Sequence, residues 1–256
     1  MPEQNLTQDE KRSVQVYARA AGLLYLIIIV LGVVGEAVIR KGVIVWGDPT
    51  ATARRILESE FLWRMGIAGQ LVLLVCAVAL TAIWYVLLRP VNRNLALVVV
   101  GFGLVSLAVE SLCALHLQAA LTPLTSTALH KVADAQQLHV LSYLALVAHG
   151  ETFGVALIFF GVQCLLVGHL VQKSGYFPGA LGVMMKIAGA CYLINSFTMF
   201  LYPPAQGVLF PAILLPAFIG ESAMCLWLII KGVNVASYGT REMKEPISAS
   251  LSNSFK

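Results

Sequence analysis

Long apolar runs alternate with short polar links along this chain of 256 residues. In one run of 20 residues, 152–171, only Gln163 and His169 are strongly polar. Such a run rises ~30 Å as an α-helix, which matches the thickness of a bilayer hydrocarbon core. Because a backbone in lipid must satisfy its own hydrogen bonds, this run is predicted to be a transmembrane helix.

Six segments of this kind make the chain an all-α, polytopic membrane helical bundle. Their approximate bounds are 17–39, 61–88, 95–120, 138–172, 180–201 and 208–230. The fourth would be roughly 52 Å long as a helix, so we expect an interfacial portion before His149 and a bend near Gly150. Pro211 and Pro216 are expected to kink the sixth segment, unless Pro211 marks its start.

The links and the small residues add detail to this bundle. The link 40–60 contains helical spacing after a Gly-Asp-Pro turn, with Thr50 or Thr52 as the expected N-cap. Small residues allow helices in lipid to approach closely, so the fourth and fifth segments are predicted to make the tightest contact. Their small residues are Gly150, Gly154, Gly161, Gly168, Gly182 and Gly189.

The composition excludes an ordinary soluble domain. The chain is 59% hydrophobic and 12% charged, whereas soluble domains carry about 25% charged residues. We expect one membrane domain over 1–256, with a cytoplasmic N-terminal segment (1–16), a bundle (17–231) and a flexible cytoplasmic tail (232–256). The N-terminal segment lacks the pattern of a signal peptide, so the first helix is expected to be retained.

Basic residues predict the orientation, because cytoplasmic flanks carry an excess of Lys and Arg. With the N-terminus inside, 11 basic residues flank the inner ends: Lys11, Arg12, Arg19, Arg89, Arg93, Lys173, Lys186, Lys231, Arg241, Lys244 and Lys256. Six flank the outer ends: Arg40, Lys41, Arg54, Arg55, Arg64 and Lys131. The count favours cytoplasmic termini, although the first outer loop is basic.

Four blocks of sequence resemble one known family. They are GDPTATARRILESEFLWRMGI, LLRPVNRNLAL, FFGVQCLLVGHLVQKSGYFPGALGVMMKIAGACYLINSF and LLPAFIGES. In this order and spacing they resemble the bacterial membrane family described as domain of unknown function 4386, over roughly 19–233. The resemblance implies a six-span protein of the bacterial inner membrane and brings no catalytic residue with it.

Polar residues within the segments are the candidates for function, since an ionisable group at membrane depth costs about 2.5–3.5 kcal/mol or more. Most of them fall toward the outer side, which suggests an outward-facing polar pocket. Its expected ligand-binding residues are Glu36, Arg64, Glu110, His116, His149, Glu151, Asn195 and Glu221. The alternative is that these groups only hold helices together, with Glu36–Arg64 and Lys186–Glu221 as ion pairs.

The spacing of His, Glu and Cys residues along the sequence gives little support for a metal or cofactor site. His149 and Glu151 point about 200° apart on a helix, and no HExxH arrangement is present. A zinc site would need ligands from separate helices, such as Glu110, His116 and His149. Because the five cysteines are scattered through apolar segments, they suggest neither a disulfide framework nor a metal motif.

We interpret the chain as an inner-membrane protein that binds a small ligand or ion, for transport, sensing or modulation of a partner. A metal-assisted intramembrane hydrolase and a structural or accessory protein are the alternatives, so enzymatic activity is left open. The lipid bilayer is the partner that the composition requires. No metal or other cofactor is expected, and no nucleic acid, because the basic residues form no groove-sized patch.

The charge distribution predicts that both termini are cytoplasmic. Alkaline phosphatase needs an oxidising compartment to form its disulfides, so a C-terminal phosphatase fusion should be inactive in bacterial cells. A C-terminal fluorescent-protein fusion should be bright. An active phosphatase fusion with a dark fluorescent one would contradict this orientation.

Overall fold

The structure is a computed structural model that describes residues 8–241, without the side chains of 37–39 and 206–207. Residues 1–7 of the predicted N-terminal segment and 242–256 of the predicted tail lie outside the described residues. The α-helices are α1 (Gln8–Val33), α2 (Lys41–Val43), α3 (Pro49–Glu58), α4 (Glu60–Leu88), α5 (Arg93–Thr125), α6 (Ala135–Ser174), α7 (Gly179–Leu201), α8 (Pro203–Leu209) and α9 (Leu215–Ile230).

Six helical stretches are long and apolar enough to cross a membrane, which confirms the predicted all-α, six-span architecture. They are Gln8–Val43, Glu60–Leu88, Arg93–Thr125, Ala135–Ser174, Gly179–Leu201 and Ala212–Ile230. The first stretch joins α1 to α2 through a π-helical segment, Val34–Arg40. Many large apolar side chains on these helices are exposed, such as Val75 and Leu115, as expected for surfaces that face lipid.

The described chain divides into two compact units. Within the described residues, unit 1 comprises 8–26, 78–105 and 157–241, and unit 2 comprises 27–77 and 106–156. Each unit is therefore built from several separate stretches of the chain, and some of its boundaries fall inside helices.

In unit 2, α3 is a short amphipathic helix. Its Ala53 and Ile56 are fully buried in an apolar cluster with Trp63. Its N-cap is Asp48, whose carboxylate accepts from the backbone N–H of Ala51 at 2.8 Å. The predicted caps Thr50 and Thr52 are therefore wrong, because Pro49 occupies the first helical position and places Asp48 before it.

The fourth span is longer than expected and has no break. Helix α6 has 40 residues, or ~60 Å, and is α-helical throughout. The chain before His149 thus belongs to the same helix, and the α-helix continues through Gly150, near which the sequence suggests a bend.

The sixth span begins between the two prolines, with Pro216 in the first turn of its α-helix. α8 ends at Leu209, a short 3₁₀ turn covers Ala212–Leu214, and α9 then starts with Pro216 in its first turn. Proline has no N–H to donate and is tolerated in a first turn, so Pro211 separates the helices and Pro216 opens α9.

In unit 1, glycines bring α6 and α7 into close contact, as predicted. A methyl group at Gly168 would lie 2.5 Å from the carbonyl oxygen of Gly182, and one at Gly182 would lie 2.5 Å from that of Gly168. Gly161 and Gly189 face each other in the same way. Backbone therefore packs on backbone, and no side chain can be added at these positions without moving a helix.

The first part of the predicted flexible tail is packed. Gln15 donates to the Lys231 carbonyl at 2.8 Å and accepts from the Val233 N–H at 3.2 Å, which joins the start of α1 to the end of α9. Residues 235–241 are helical, and Tyr238 is fully buried with its hydroxyl donating to the Val86 carbonyl at 2.9 Å. Residues 232–241 of the predicted flexible tail therefore make specific contacts with the helices.

The glycine contact predicts a position-dependent effect of alanine. Gly168→Ala and Gly182→Ala should each destabilise the protein by about 1–3 kcal/mol through overpacking. Gly150→Ala is the matched control, because nothing lies within 4 Å of a methyl group at this position on α6. Thermal unfolding in detergent measures the difference. Equal melting temperatures for all three variants would contradict the close contact.

Candidate functional site

A polar seam joins α5 and α6 in unit 2. Ser106 donates to the Ala156 carbonyl at 2.9 Å, and Ser142 donates to the Ala120 carbonyl at 2.6 Å. Between these contacts, the Cys113 thiol lies 3.8 Å from the carbonyl oxygen of His149. The paired positions run in opposite directions along the two helices, so α5 and α6 are antiparallel here and the residues between the pairs face each other.

Two side-chain hydrogen bonds extend this seam. Gln70 of α4 donates to Glu110 of α5 at 3.0 Å, and both residues are partly buried. The His116 Nε2 atom lies 3.1 Å from the Thr152 hydroxyl oxygen, with the direction of donation set by the histidine tautomer. On α5, Cys113 lies three residues from Glu110 and three from His116, so its side chain neighbours both of theirs on the helix surface.

Arg40 supplies the positive charge of this region. It is the last residue of the π-helical segment, its side chain is 15% exposed, and its Nε donates to Glu36 at 2.6 Å. Its charge is close enough to act on both Glu110 and His149. π-helical turns often occur at functional sites, because the extra residue redirects the side chains that follow.

His149 is the side chain of the cluster whose polar atoms have no hydrogen-bond partner among the described residues. It is partly buried, and its ring makes no hydrogen bond within the part of the chain that the structure describes. The charges that act on it come from Arg40 and His116. An imidazole with free nitrogens, close enough to a cation to feel its charge, can donate to or accept from a bound molecule.

Six of the eight predicted site residues lie in unit 2, and the structure brings together four of them. Glu36 forms an ion pair with Arg40, whose charge is close enough to act on Glu110 and His149. His116 is in turn close enough to act on His149. The predicted Glu36–Arg64 ion pair is wrong, because Glu36 bonds to Arg40 and Arg64 bonds to Glu60 at 2.8 Å. Arg64 and Glu151 are exposed, and Glu151 makes no contact with the seam through any hydrogen bond or ion pair of the described residues.

The other two predicted residues lie in unit 1. Glu221 is 9% exposed and accepts from the Tyr192 hydroxyl at 2.6 Å. The predicted Lys186–Glu221 ion pair is wrong, since Lys186 donates to Gln172 instead. Asn195 is buried, and its Oδ1 atom has no hydrogen-bond partner among the described residues. A pocket that contains all eight residues stays a prediction.

The described residues do not form a metal centre. Within 8–241, no group of three or more His, Cys, Asp or Glu side chains is arranged to hold a metal ion. Glu110, His116 and His149 lie along one seam, but His116 is directed to Thr152 rather than toward a point shared by all three. The hydrolase alternative therefore has no ligand set in this part of the chain.

Sequence reasoning missed three participants. Arg40 was counted only as a flanking charge, although its position four residues after Glu36 predicts that the two side chains meet on one helical face. Thr152 follows His149 by three residues, which likewise predicts a shared face. Gln70 had no such indication, because its partner lies on another helix and the pairing of helices is not visible in hydropathy.

Comparison with known proteins is consistent with this architecture. The family model described as domain of unknown function (DUF4386) matches residues 20–232. A protein of Archaeoglobus fulgidus, described as an uncharacterized protein, is similar to the chain, with 30% identity over 167 residues that cover 65% of the chain and 83% of the relative. No solved structure matches the chain.

The Gln70–Glu110 contact predicts energetic coupling. Gln70→Met and Glu110→Met should each leave a polar group without a partner, so the double variant should lose less stability than the sum of the two. We expect a coupling free energy of about 0.5–3 kcal/mol in unfolding measurements. The control cycle is Glu36→Gln with Arg64→Met, whose effects should add. Additive effects in the first cycle would contradict the hydrogen bond.

Proposed function

Because this chain belongs to the DUF4386 family and has six membrane-spanning helices, we propose that it binds a small ligand or ion within the membrane. The site is the outer polar cluster of unit 2, formed by Arg40, Glu110, His116 and His149. The protein resides in the bacterial inner membrane, and the cluster opens toward the outside. Transport, sensing and modulation of a partner protein would each use such a site.

The state of His149 is the observation that carries this proposal. A polar group held in an apolar environment for purely structural reasons is expected to be hydrogen-bonded, because an unpaired one costs free energy. Around it, Gln70 pairs with Glu110 and His116 pairs with Thr152. His149 is left with free ring nitrogens and with Arg40 near enough to act on it. These groups offer a cation, a carboxyl group and an imidazole to one small molecule.

The distribution of basic residues supports the orientation. The described basic residues assigned to the cytoplasmic side all belong to unit 1, and all six assigned to the outer side belong to unit 2. Lys244 and Lys256 lie outside the described residues. Gln15 also ties the start of α1 to the end of α9, so both ends of the bundle emerge on the same side, as an even number of spans requires.

A structural or accessory role is the second candidate, and it has its own support. Ser106, Ser142 and Trp63 all use their polar atoms to join helices through backbone carbonyls. In such a protein the polar cluster would only fix helix pairing. The two candidates differ in whether a solute stabilises the folded protein through His149.

Ligand-dependent unfolding tests the proposal. Purified full-length protein in detergent is heated with acetate, chloride or phosphate as anion probes, and with sodium, potassium or ammonium as cation probes. Binding to the folded state alone stabilises it by about 2.7 kcal/mol at a hundredfold excess over Kd. At least one probe should therefore raise the melting temperature of the wild type in a saturable way.

His149→Gln should abolish this rise and leave the melting temperature in plain buffer unchanged, because the ring has no hydrogen bond to lose. His139→Gln is the matched control, a half-buried histidine on the same helix whose ring nitrogen lies 3.4 Å from the Thr50 hydroxyl oxygen instead of in the cluster. A rise that persists in His149→Gln, or no rise with any of the six probes, would favour the structural role.

A further inference from the structure

Glu221 lies at a buried meeting point of helices in unit 1, separate from the cluster proposed to bind the ligand. The carboxyl group accepts a hydrogen bond from the Tyr192 hydroxyl of α7 at 2.6 Å, and the Tyr25 hydroxyl of α1 is close enough to interact with it. Glu221 is 9% exposed and Tyr25 is 4% exposed. Two helices, α1 and α7, thus place tyrosine hydroxyls beside a carboxyl group that α9 carries.

The groups that face Glu221 are all neutral hydrogen-bond donors or thiols. α1 contributes Tyr25, α7 contributes Tyr192, and α6 contributes Cys164. Phe160 of α6 packs its ring 5.3 Å from that of Tyr192 and closes one side. No cation contacts the carboxyl group among the described residues, and Lys186, the cation expected to do so, donates to Gln172.

This arrangement suits a carboxyl group that exchanges a proton. A buried charge without a cation is costly, whereas a neutral carboxyl group is tolerated if its O–H and C=O find partners. A tyrosine hydroxyl both donates and accepts, so the two tyrosines can bond to either form of the carboxyl group. Binding requires only that a proton from water forms an O–H bond on Glu221, and release returns that proton to water.

We propose that Glu221, Tyr25 and Tyr192 form an intramembrane proton-binding site in unit 1. Its proton occupancy changes the charge at the contact of α1, α6, α7 and α9, and so couples the packing of these helices to pH. The site does not depend on the ligand proposed for unit 2, because the two sets share no residue.

Infrared spectroscopy of the full-length protein tests this site directly, since a protonated carboxyl group has a C=O stretching band that the carboxylate lacks. The wild type in detergent should show a band that disappears reversibly as the pH rises. Glu221→Gln should remove this band. Glu58→Gln, which changes a carboxyl group that is exposed on α3, should retain it.

Tyr192→Phe provides a second variant that keeps the carboxyl group. It should retain the band but shift the pH at which half of it is lost, because one hydrogen-bond donor to the carboxylate is gone. Glu58→Gln should not shift this midpoint. The variant remains informative if Glu221→Gln does not fold.

Three outcomes would overturn the proposal. A pH-dependent band that survives in Glu221→Gln would belong to another carboxyl group. A midpoint that Tyr192→Phe leaves unchanged would separate Tyr192 from the titrating group. Loss of the band on adding sodium chloride at constant pH, but not on adding choline chloride, would make the site a sodium site instead.

Discussion

Every backbone N–H and C=O group in the spanning segments needs a partner within the protein, because lipid provides none. Helices meet this requirement, and some of the same carbonyl oxygens also accept a hydrogen bond from a side chain of a neighbouring helix. Ser106, Ser142 and Trp63 each donate to a carbonyl of a neighbouring helix. A carbonyl oxygen has two lone pairs, so it can hold the helical bond and the side-chain bond together. Polar residues are thereby buried between helices without a second polar side chain opposite them.

The same backbone takes part in apolar packing where side chains are absent. At Gly168 and Gly182, α6 and α7 approach until a methyl group would touch the carbonyl of the other helix. Without a hydrophobic drive between helices in lipid, close van der Waals contact is a main source of association. Close approach at glycines and side-chain hydrogen bonds to carbonyls therefore both hold neighbouring helices together, at different contacts. In both cases the contact is made with the backbone of a regular α-helix.

The sequence predicted the helices better than their contacts, for a physical reason. Hydropathy indicates which segments lie in lipid, and small residues indicate which helix faces can approach closely. The six spans and the contact between α6 and α7 could therefore be predicted from the sequence. The packing of Tyr238 against the Val86 carbonyl was not, because a tail rich in polar residues resembles a flexible one. For the site, the residue types were predictable, but the partners of Glu110 and Glu221 lie on other helices whose pairing leaves no trace in hydropathy.

Two of the ion pairs could nevertheless be predicted from the spacing of charged residues along the sequence. Glu36 and Glu60 each have an arginine four residues later, and both form the ion pair within their own helix. Such pairs need no particular helix packing, which is why they replace the predicted Glu36–Arg64 pair across helices. Glu110 and Glu221 have no basic residue three or four positions away. Both find neutral hydrogen-bond partners on other helices, an amide for Glu110 and the Tyr192 hydroxyl for Glu221. Glu151 also lacks such a neighbour and is exposed instead. A carboxyl group at membrane depth with no basic residue three or four positions away thus takes its partners from the tertiary structure. Such carboxyl groups are the ones that can take part in binding a proton or a ligand.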